Sequence, residues 1–357
     1  MAVKIPSKKY RFGIIRQSKD ATAATAFKAI GSTANQWTNP GLAATNYRTL
    51  YYTKGVSVAD PGVTISDYGL TSQLGLHPEL SNFHIDQRSG LSRINFAGPV
   101  DVNTLTPHLV GALQSVAEGL TNEWICTSGF SAGVVDFNGG NGYLCTVAMD
   151  KIASADAGTI LENAVIDNLT LTFDFIQKGL ARLVQMSGSW VGNEMNPEQT
   201  LSGTWVATTI TPLNNTDLFS FTTFTSDSVD WSAQCIRRMV LNINNSVTSN
   251  CATAAGKPNQ YDFAPRITWN VILDHNSTTE KALGDFQTGA TVDIHLTNDF
   301  GNATGSLKID TPFCKIVAPP ESYNGEYGGY NLQLEVLQSS TTSPATITHI
   351  DGLAWGY

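Results

Sequence analysis

A two-residue hydrophobic period constrains this chain more than any other feature. In Asn168-Leu-Thr-Leu-Thr-Phe-Asp-Phe175 the apolar residues Leu169, Leu171, Phe173 and Phe175 alternate with Thr170, Thr172 and Asp174. Successive strand residues point to opposite faces, so this segment buries one side and wets the other as a β-strand. The alternation returns in Asn82–Asp86, Ser92–Ala97, Tyr143–Met149 and Ile236–Asn244. It returns again in Ile267–Leu273, with Asn270 and Asp274 on the polar side, and in Val292–Leu296, with Asp293 and His295 on it. Tyr330, Leu332, Leu334 and Val336 form one more apolar face, with Glu335 between them. Composition agrees. Only 14% of the 357 residues are charged, against about 25% in ordinary globular chains. Thr, Ser, Asn and Gly take their place, and helix surfaces are seldom built that way.

Two helices interrupt the strands. Thr106 suits a cap and Pro107 a first helical position, and Leu109, Val110, Leu113 and Val116 follow at helical spacing, which predicts a helix ending at Gly119. A shorter one is predicted at about Thr279–Phe286, before Gly289. Ala21–Ile30 is a third candidate in an otherwise irregular lead-in. The order of paired strands, one helix and several strands occurs twice. It predicts a mainly β chain with a few short helices: an N-terminal arm with long loops over 1–80, partly belonging to the first domain, a domain over 81–195, a connection over 196–232 and a second domain over 233–357.

Chemical motifs are weak. Gly129-Phe-Ser-Ala-Gly133 fits a nucleophile elbow, but a Gly- and Asn-rich loop follows Ser131 where that chemistry needs a helix. His77, His84, His108, His275, His295 and His349 show no metal-ligand spacing. Asp285, Asp293, Glu321, Glu326 and Glu335 could supply a glycosidase pair, yet nothing in the sequence selects two of them. Tyr323, Tyr327, Tyr330 and Tyr357 cluster near Gly-rich turns, as packing or interface residues do. Cys126, Cys145, Cys235, Cys251 and Cys314 are odd in number and lack a C-x-x-C pair, which predicts free thiols. No apolar run approaches a membrane span of about 18 residues, and the basic N-terminus lacks the apolar run of a secretory leader. With 21 basic against 30 acidic residues the net charge is −9, a poor balance for gripping phosphate. The expectation is a protein without catalytic residues, metal or cofactor.

The element order resembles the tail tube (major tail) proteins of long-tailed double-stranded DNA bacteriophages. Strand pairs, Thr106–Gly119 and strands to Val191 carry the likeness in the first half, and Ile236–Asn244, Ile267–His275, Thr279–Thr297 and Phe313–Gln338 in the second. Two stretches are especially similar: Asp285–Leu296, where a helix end runs into a strand, and Phe313–Pro320 before a Gly-rich turn and the strand Gly329–Gln338. The resemblance implies two tandem β-sandwich or barrel domains, each with one flanking helix, in a subunit of stacked rings around a DNA-conducting channel. It implies self-assembly, with a trimeric, pseudo-hexameric ring for a fused pair of domains, where single-domain relatives form hexamers. It further implies tape measure, distal tail and tail terminator proteins as partners, DNA passing without sequence-specific binding, no membrane, manufacture in the bacterial cytoplasm and residence in the virion tail. The polar strand sides would face the lumen: Thr170, Thr172, Asp174, Asn270, Asp274, Asp293 and Glu335. The loop Asn245–Asp262 and residues 1–80 are the expected ring-to-ring contacts. The alternatives are another virion β-protein, such as a head decoration or baseplate component, and then a carbohydrate-binding module or glycoside hydrolase.

Overall fold

The computed structural model describes residues 10–16, 18–19, 37–38, 47–52, 54–59, 64–67, 83–86, 90–120, 122–129, 143–151, 158–176, 183–199, 205–206, 210–213, 220–226, 229–231, 234–249, 261–274, 276, 279, 281–298, 304–323, 329–339 and 342–351. In chain order the elements are β1 (Tyr10–Arg16), β2 (Tyr47–Leu50), β3 (Lys54–Ala59), β4 (Ser92–Pro99), α1 (Leu105–Leu113), β5 (Gln114–Glu118), β6 (Glu123–Ser128), β7 (Cys145–Lys151), β8 (Gly158–Asp174), β9 (Gln185–Gly192) and β10 (Glu194–Gln199). There follow β11 (Ser220–Ser226), β12 (Ile236–Asn244), β13 (Arg266–Asp274), α2 (Lys281–Thr288), β14 (Thr291–Thr297), β15 (Leu307–Ile316), β16 (Glu321–Tyr323), β17 (Gly329–Val336) and β18 (Thr346–Ile350). These strands, with Trp205–Val206 and Val229–Asp230, join in one hydrogen-bonded sheet.

The pairing scheme runs twice. In the first half β1 pairs with β7, β7 with β8, β8 with both β10 and β9, β9 with β4, and β4 with β3. In the second half β11 pairs with β14, β14 with β15, β15 with both β18 and β17, β17 with β13, and β13 with β12. All twelve ladders are antiparallel, and each half places its helix after the second strand of its flat face. Even the irregularities correspond. The β7–β8 register shifts between Cys145 and Val147, and the β14–β15 register between Val292 and Ile294. In both halves one long strand, β8 or β15, leaves one sheet layer and enters the other. Two seams join the halves: β8 with β12, and β6 with β18. One apolar cluster runs through both, from Phe12 and Leu109 to Leu241, Trp269 and Ile347.

Helix α1 is buried at all nine positions. Its glycine, Gly111, lets Trp190 and Ile166 approach, since a Cβ there would lie 2.9 Å from the Trp190 ring. His108 reaches the same tryptophan through a polar relay. Trp190 Nε1–H donates to the Tyr52 hydroxyl oxygen at 3.1 Å, the Tyr52 O–H donates to His108 Nε2 at 2.9 Å, and Nδ1–H donates to the Thr104 carbonyl at 2.7 Å. That order of donors fixes the imidazole tautomer. The Tyr52 hydroxyl thus satisfies two fully buried partners. Tyr52→Phe is expected to cost about 2 kcal/mol in urea unfolding by orphaning them. An unchanged midpoint would rule out the relay as a stabilising element.

Several expectations change. Helix α1 stops at Leu113, not Gly119, because Gln114 turns left-handed at φ 64° and its side chain donates to the Gly111 carbonyl at 2.7 Å. Val116 then sits in β5, opposite Cys126. Thr106 does not cap; that place is taken by Thr104, and the Thr106 hydroxyl donates to Asp351 at 2.6 Å. Leu307–Ile316 forms one continuous strand, β15. Within 1–80, read as an arm partly belonging to the first domain, β1, β2 and β3 pair into the sheet and Phe12, Ile14 and Leu50 are buried. Within the connection at 196–232, β11 completes the second set of pairings. Ala21–Ile30 lies outside the described residues.

Candidate functional site

The polar sides of the alternating strands meet on one broad face. Its strands run β3, β4, β9, β8, β12, β13, β17 and, at the far edge, the end of β15 with β16. The residues directly opposite one another form rows. One row reads Ser187, Thr170, Asn242, Thr268 and Glu335; the next reads Gln185, Thr172, Val240, Asn270 and Gln333. Asp174 faces Arg238 one row further on. Side-chain bonds cross the strands: Asn95 to Ser57 at 2.8 Å, Asn168 to Ser189 at 2.9 Å and Thr170 to Asn242 at 3.0 Å. Such cross-strand pairs stiffen a sheet face by small increments. On the reverse side Leu169, Leu171, Phe173, Leu241, Trp269 and Leu334 are buried.

Six of the seven residues singled out from the sequence therefore share this face: Thr170, Thr172, Asp174, Asn270, Asp274 and Glu335. Asp293 does not. It stands on β14, in the other layer, where His295 Nε2 lies 3.0 Å from Asp293 and Nδ1 lies 3.2 Å from Asp310. Burial pushes the Asp310 carboxyl above its ordinary range, His295 opposes this and Asp293 adds to it. These three side chains bring their ligand atoms within 4.8 Å of one another, the geometry of two carboxylate oxygens and one imidazole around a divalent cation. They are the group of that kind found among the described residues, and all three are half-buried. Asp293 stands apart from the other six, because alternation reports a strand's polar side and not which layer the strand joins.

The broad face carries charges of both signs. Among its described residues Asp174, Asp274 and Glu335 are outnumbered by Arg93, Arg237, Arg238, Arg266 and Lys315, so the −9 of the chain is not concentrated here. Arg266 grips Glu335 with two bonds, at 2.8 and 3.0 Å, and this contact raises the arginine's pKa further. The Arg237 Nε–H donates to Asp274, because a register shift between Ile236 and Arg238 turns Arg237 toward β13. Arg93 pairs with Asp167 at 2.7 Å. The sequence reading missed Asn95, Ser187, Ser189, Asn242, Thr268 and Gln333. The signal for them was present, since each follows from the same alternation applied to β4, β9, β12, β13 and β17.

Among the described residues the enzyme-like motifs gain no constellation. Ser131 and His275 lie outside the described residues. His349 is fully buried with both ring nitrogens against backbone carbonyls, of Ser306 at 3.0 Å and Val102 at 2.8 Å. Burial pushes the Cys126 thiol up and the Cys314 thiol to about 12, which makes both poor nucleophiles. Cys126, Cys145, Cys235 and Cys314 form no disulfide, and Cys235 is exposed; Cys251 lies outside the described residues. Among the described residues no helix is long and apolar enough to cross a membrane. No protein-family model matches the chain, and no curated protein matches its sequence.

Proposed function

We propose that this protein is a structural subunit of a bacteriophage tail tube, built from two tandem tube-like domains whose shared polar sheet face lines a DNA-conducting channel. The observation that carries the reading is that face: eight strands wide, four from each half, uninterrupted at the β8–β12 seam. A sheet that is apolar beneath and polar above closes naturally into a barrel with a wet interior. Three copies would supply twenty-four strands. At about 4.8 Å per strand the untilted circumference is about 115 Å, or about 37 Å across, and strand tilt widens it.

The chemistry of the face suits passage. Thr, Ser, Asn and Gln offer only neutral groups to a sliding phosphate backbone. Arg93, Arg237 and Arg266 are each held by a carboxylate, and a neutralised guanidinium has little left for counter-ion exchange with DNA. These three pairings reduce grip without net repulsion, while Arg238 and Lys315 stay exposed on the same face. In this reading Thr170, Thr172, Asp174, Asn270, Asp274 and Glu335 line the lumen, and Asp293 lies on the outer layer.

Negative-stain electron microscopy of the purified protein, with its mass in solution, tests the proposal. Hollow tubes of stacked rings, or a trimer in solution, are the expected result. A compact monomer that never polymerises, even when concentrated, would overturn it.

A further inference from the structure

We propose that Asp293, His295 and Asp310 form a binding site for a divalent first-row transition cation, on the layer away from the broad polar face. Strand geometry brings the three together. Asp293 and His295 are two residues apart on β14, so their side chains leave the same side of the strand. Asp310 stands on β15 directly opposite His295, the closest position a neighbouring strand offers. Spacing among histidines could not show this group, because two of its members are carboxylates and one lies on another strand.

Two observations point to a cation. The first is unsatisfied oxygen. Oδ1 of Asp293 and Oδ1 of Asp310 are sealed from solvent, although the side chains as a whole are 34% and 43% exposed. Neither oxygen has a hydrogen-bond partner among the described residues. The His295 ring nitrogens come within 3.0 and 3.2 Å of them, yet neither contact has hydrogen-bond geometry. A buried carboxylate oxygen without a partner is unfavourable, and a cation held between them satisfies both at once. Ligand atoms at about 2.0–2.2 Å from such a cation stand about 3.0–3.5 Å from one another, a spacing these contacts already approach.

The second is the repeat within the molecule. Matching β7 with β14 and β8 with β15 through their shared register shift puts Thr146, Ala148 and Ile160 at the places of Asp293, His295 and Asp310. All three are buried. The first half therefore builds this corner without charge. The two carboxylates and the imidazole of the second half are not a requirement of the architecture.

Room and access are present as well. A cavity of about 470 Å³ lies against His295 and Asp310, and Thr297, Thr346 and Thr348 line it with hydroxyls, a setting in which water can complete the cation's shell. Lys308 also lines it, opposite Thr297 in the next pair along the same face. The ligand set selects the metal. Magnesium and calcium prefer oxygen throughout, whereas an imidazole adds affinity for manganese, cobalt or zinc. The site needs no second copy of the chain, so it stands or falls apart from the tube reading.

Manganese(II) is the probe. It is weakly drawn to thiols such as the exposed Cys235, and its free ion is counted by electron paramagnetic resonance. The full-length chain, first stripped with EDTA, should bind one Mn²⁺ with a micromolar Kd. Asp293→Asn, His295→Gln and Asp310→Asn should each weaken binding at least tenfold. Glu118→Gln, at an exposed carboxylate on β5, should bind as the unmodified chain does. Urea unfolding in EDTA separates ligands from folding defects: a variant that keeps the unmodified midpoint yet loses Mn²⁺ has lost a ligand. If one variant fails to fold, the other two decide. Added Mn²⁺ should raise the midpoint of the unmodified chain and of none of the three. No saturation by about 1 mM Mn²⁺, or saturation that all three variants leave within twofold, would overturn the site. Binding that survives His295→Gln but not the carboxylate changes would overturn the transition-metal assignment, since oxygen alone is what calcium favours.

Discussion

Gly188→Val is expected to destabilise the fold by about 3 kcal/mol or more, at the upper end of the overpacking range. Gly188 is the residue of β9 opposite both Leu169 and Phe96. A Cβ there would stand 2.3 Å from the Asn168 carbonyl oxygen and 2.9 Å from the Phe96 ring. The first contact is with backbone in the middle of β8, which cannot rotate aside. The second is with a ring that is 2% exposed and fills the space the glycine leaves. Both are in the sheet layer that joins the halves, so the strain falls on β8 and its seam with β12. The neighbouring Ser187→Val, one residue away on the exposed polar side, should change stability by about 0.5 kcal/mol at most. Urea unfolding of the two variants measures the contrast. Equal midpoints would mean that the close approach of β8 and Phe96 over Gly188 does not exist.

Acid should weaken the protein through His108. Burial pushes its imidazole down from 6.5 to about 4. The folded state therefore keeps His108 neutral where an unfolded chain would protonate it. Between those two values the unfolded state binds more protons, so stability rises with pH, is complete above about 6.5 and is lost as pH falls toward 4. The structural cause is the relay, in which Nε2 accepts from Tyr52 and Nδ1–H donates to Thr104, leaving no place for a second proton. From pH 7 to 4.5 the contribution is about 2.4 kcal/mol, from about 1.4 kcal/mol per unit with the slope falling off near both pKa values. Comparing wild type with His108→Gln at both pH values isolates this histidine from the carboxylates and from His349, whose pKa burial also lowers. The wild type should lose that amount relative to the variant. Parallel pH dependences would refute the assignment.

What could be read in the sequence depended on how each strand is covered. The second half of β8 alternates because one side meets the core and the other is wet, and Asn168–Phe175 was legible for that reason. The first half of the same strand has no such pattern. Thr159, Ile160, Leu161, Ala164, Val165 and Ile166 are all buried, since a second apolar cluster with Leu144, Val191, Val247 and Tyr261 covers the other side. A strand covered on both faces has no period to display. β1 was hidden differently: Tyr10-Arg-Phe-Gly-Ile-Ile-Arg16 is short, carries two arginines and lies far from other patterned segments. Only its pairing with β7 makes it a strand of the fold.

The site divides along the same line. Alternation alone chose Thr170, Thr172, Asp174, Asn270, Asp274 and Glu335 as residues on polar strand faces, because side-chain direction in a strand is local geometry. Alternation could not say that β8 and β12 are neighbours, that Glu335 is held by Arg266, or that Asp293 belongs to another layer with His295 and Asp310. Those are facts of strand pairing between residues far apart in the chain, and pairing is decided by which apolar faces can share one core. By itself the sequence determined the β class, the two helices and the sidedness of most strands, each set within a few residues by backbone geometry and burial. The order of the strands, the repetition of that order and the charge balance of the broad face were decided by the tertiary structure, where long-range hydrogen bonds and a common core select one arrangement from many locally equivalent ones.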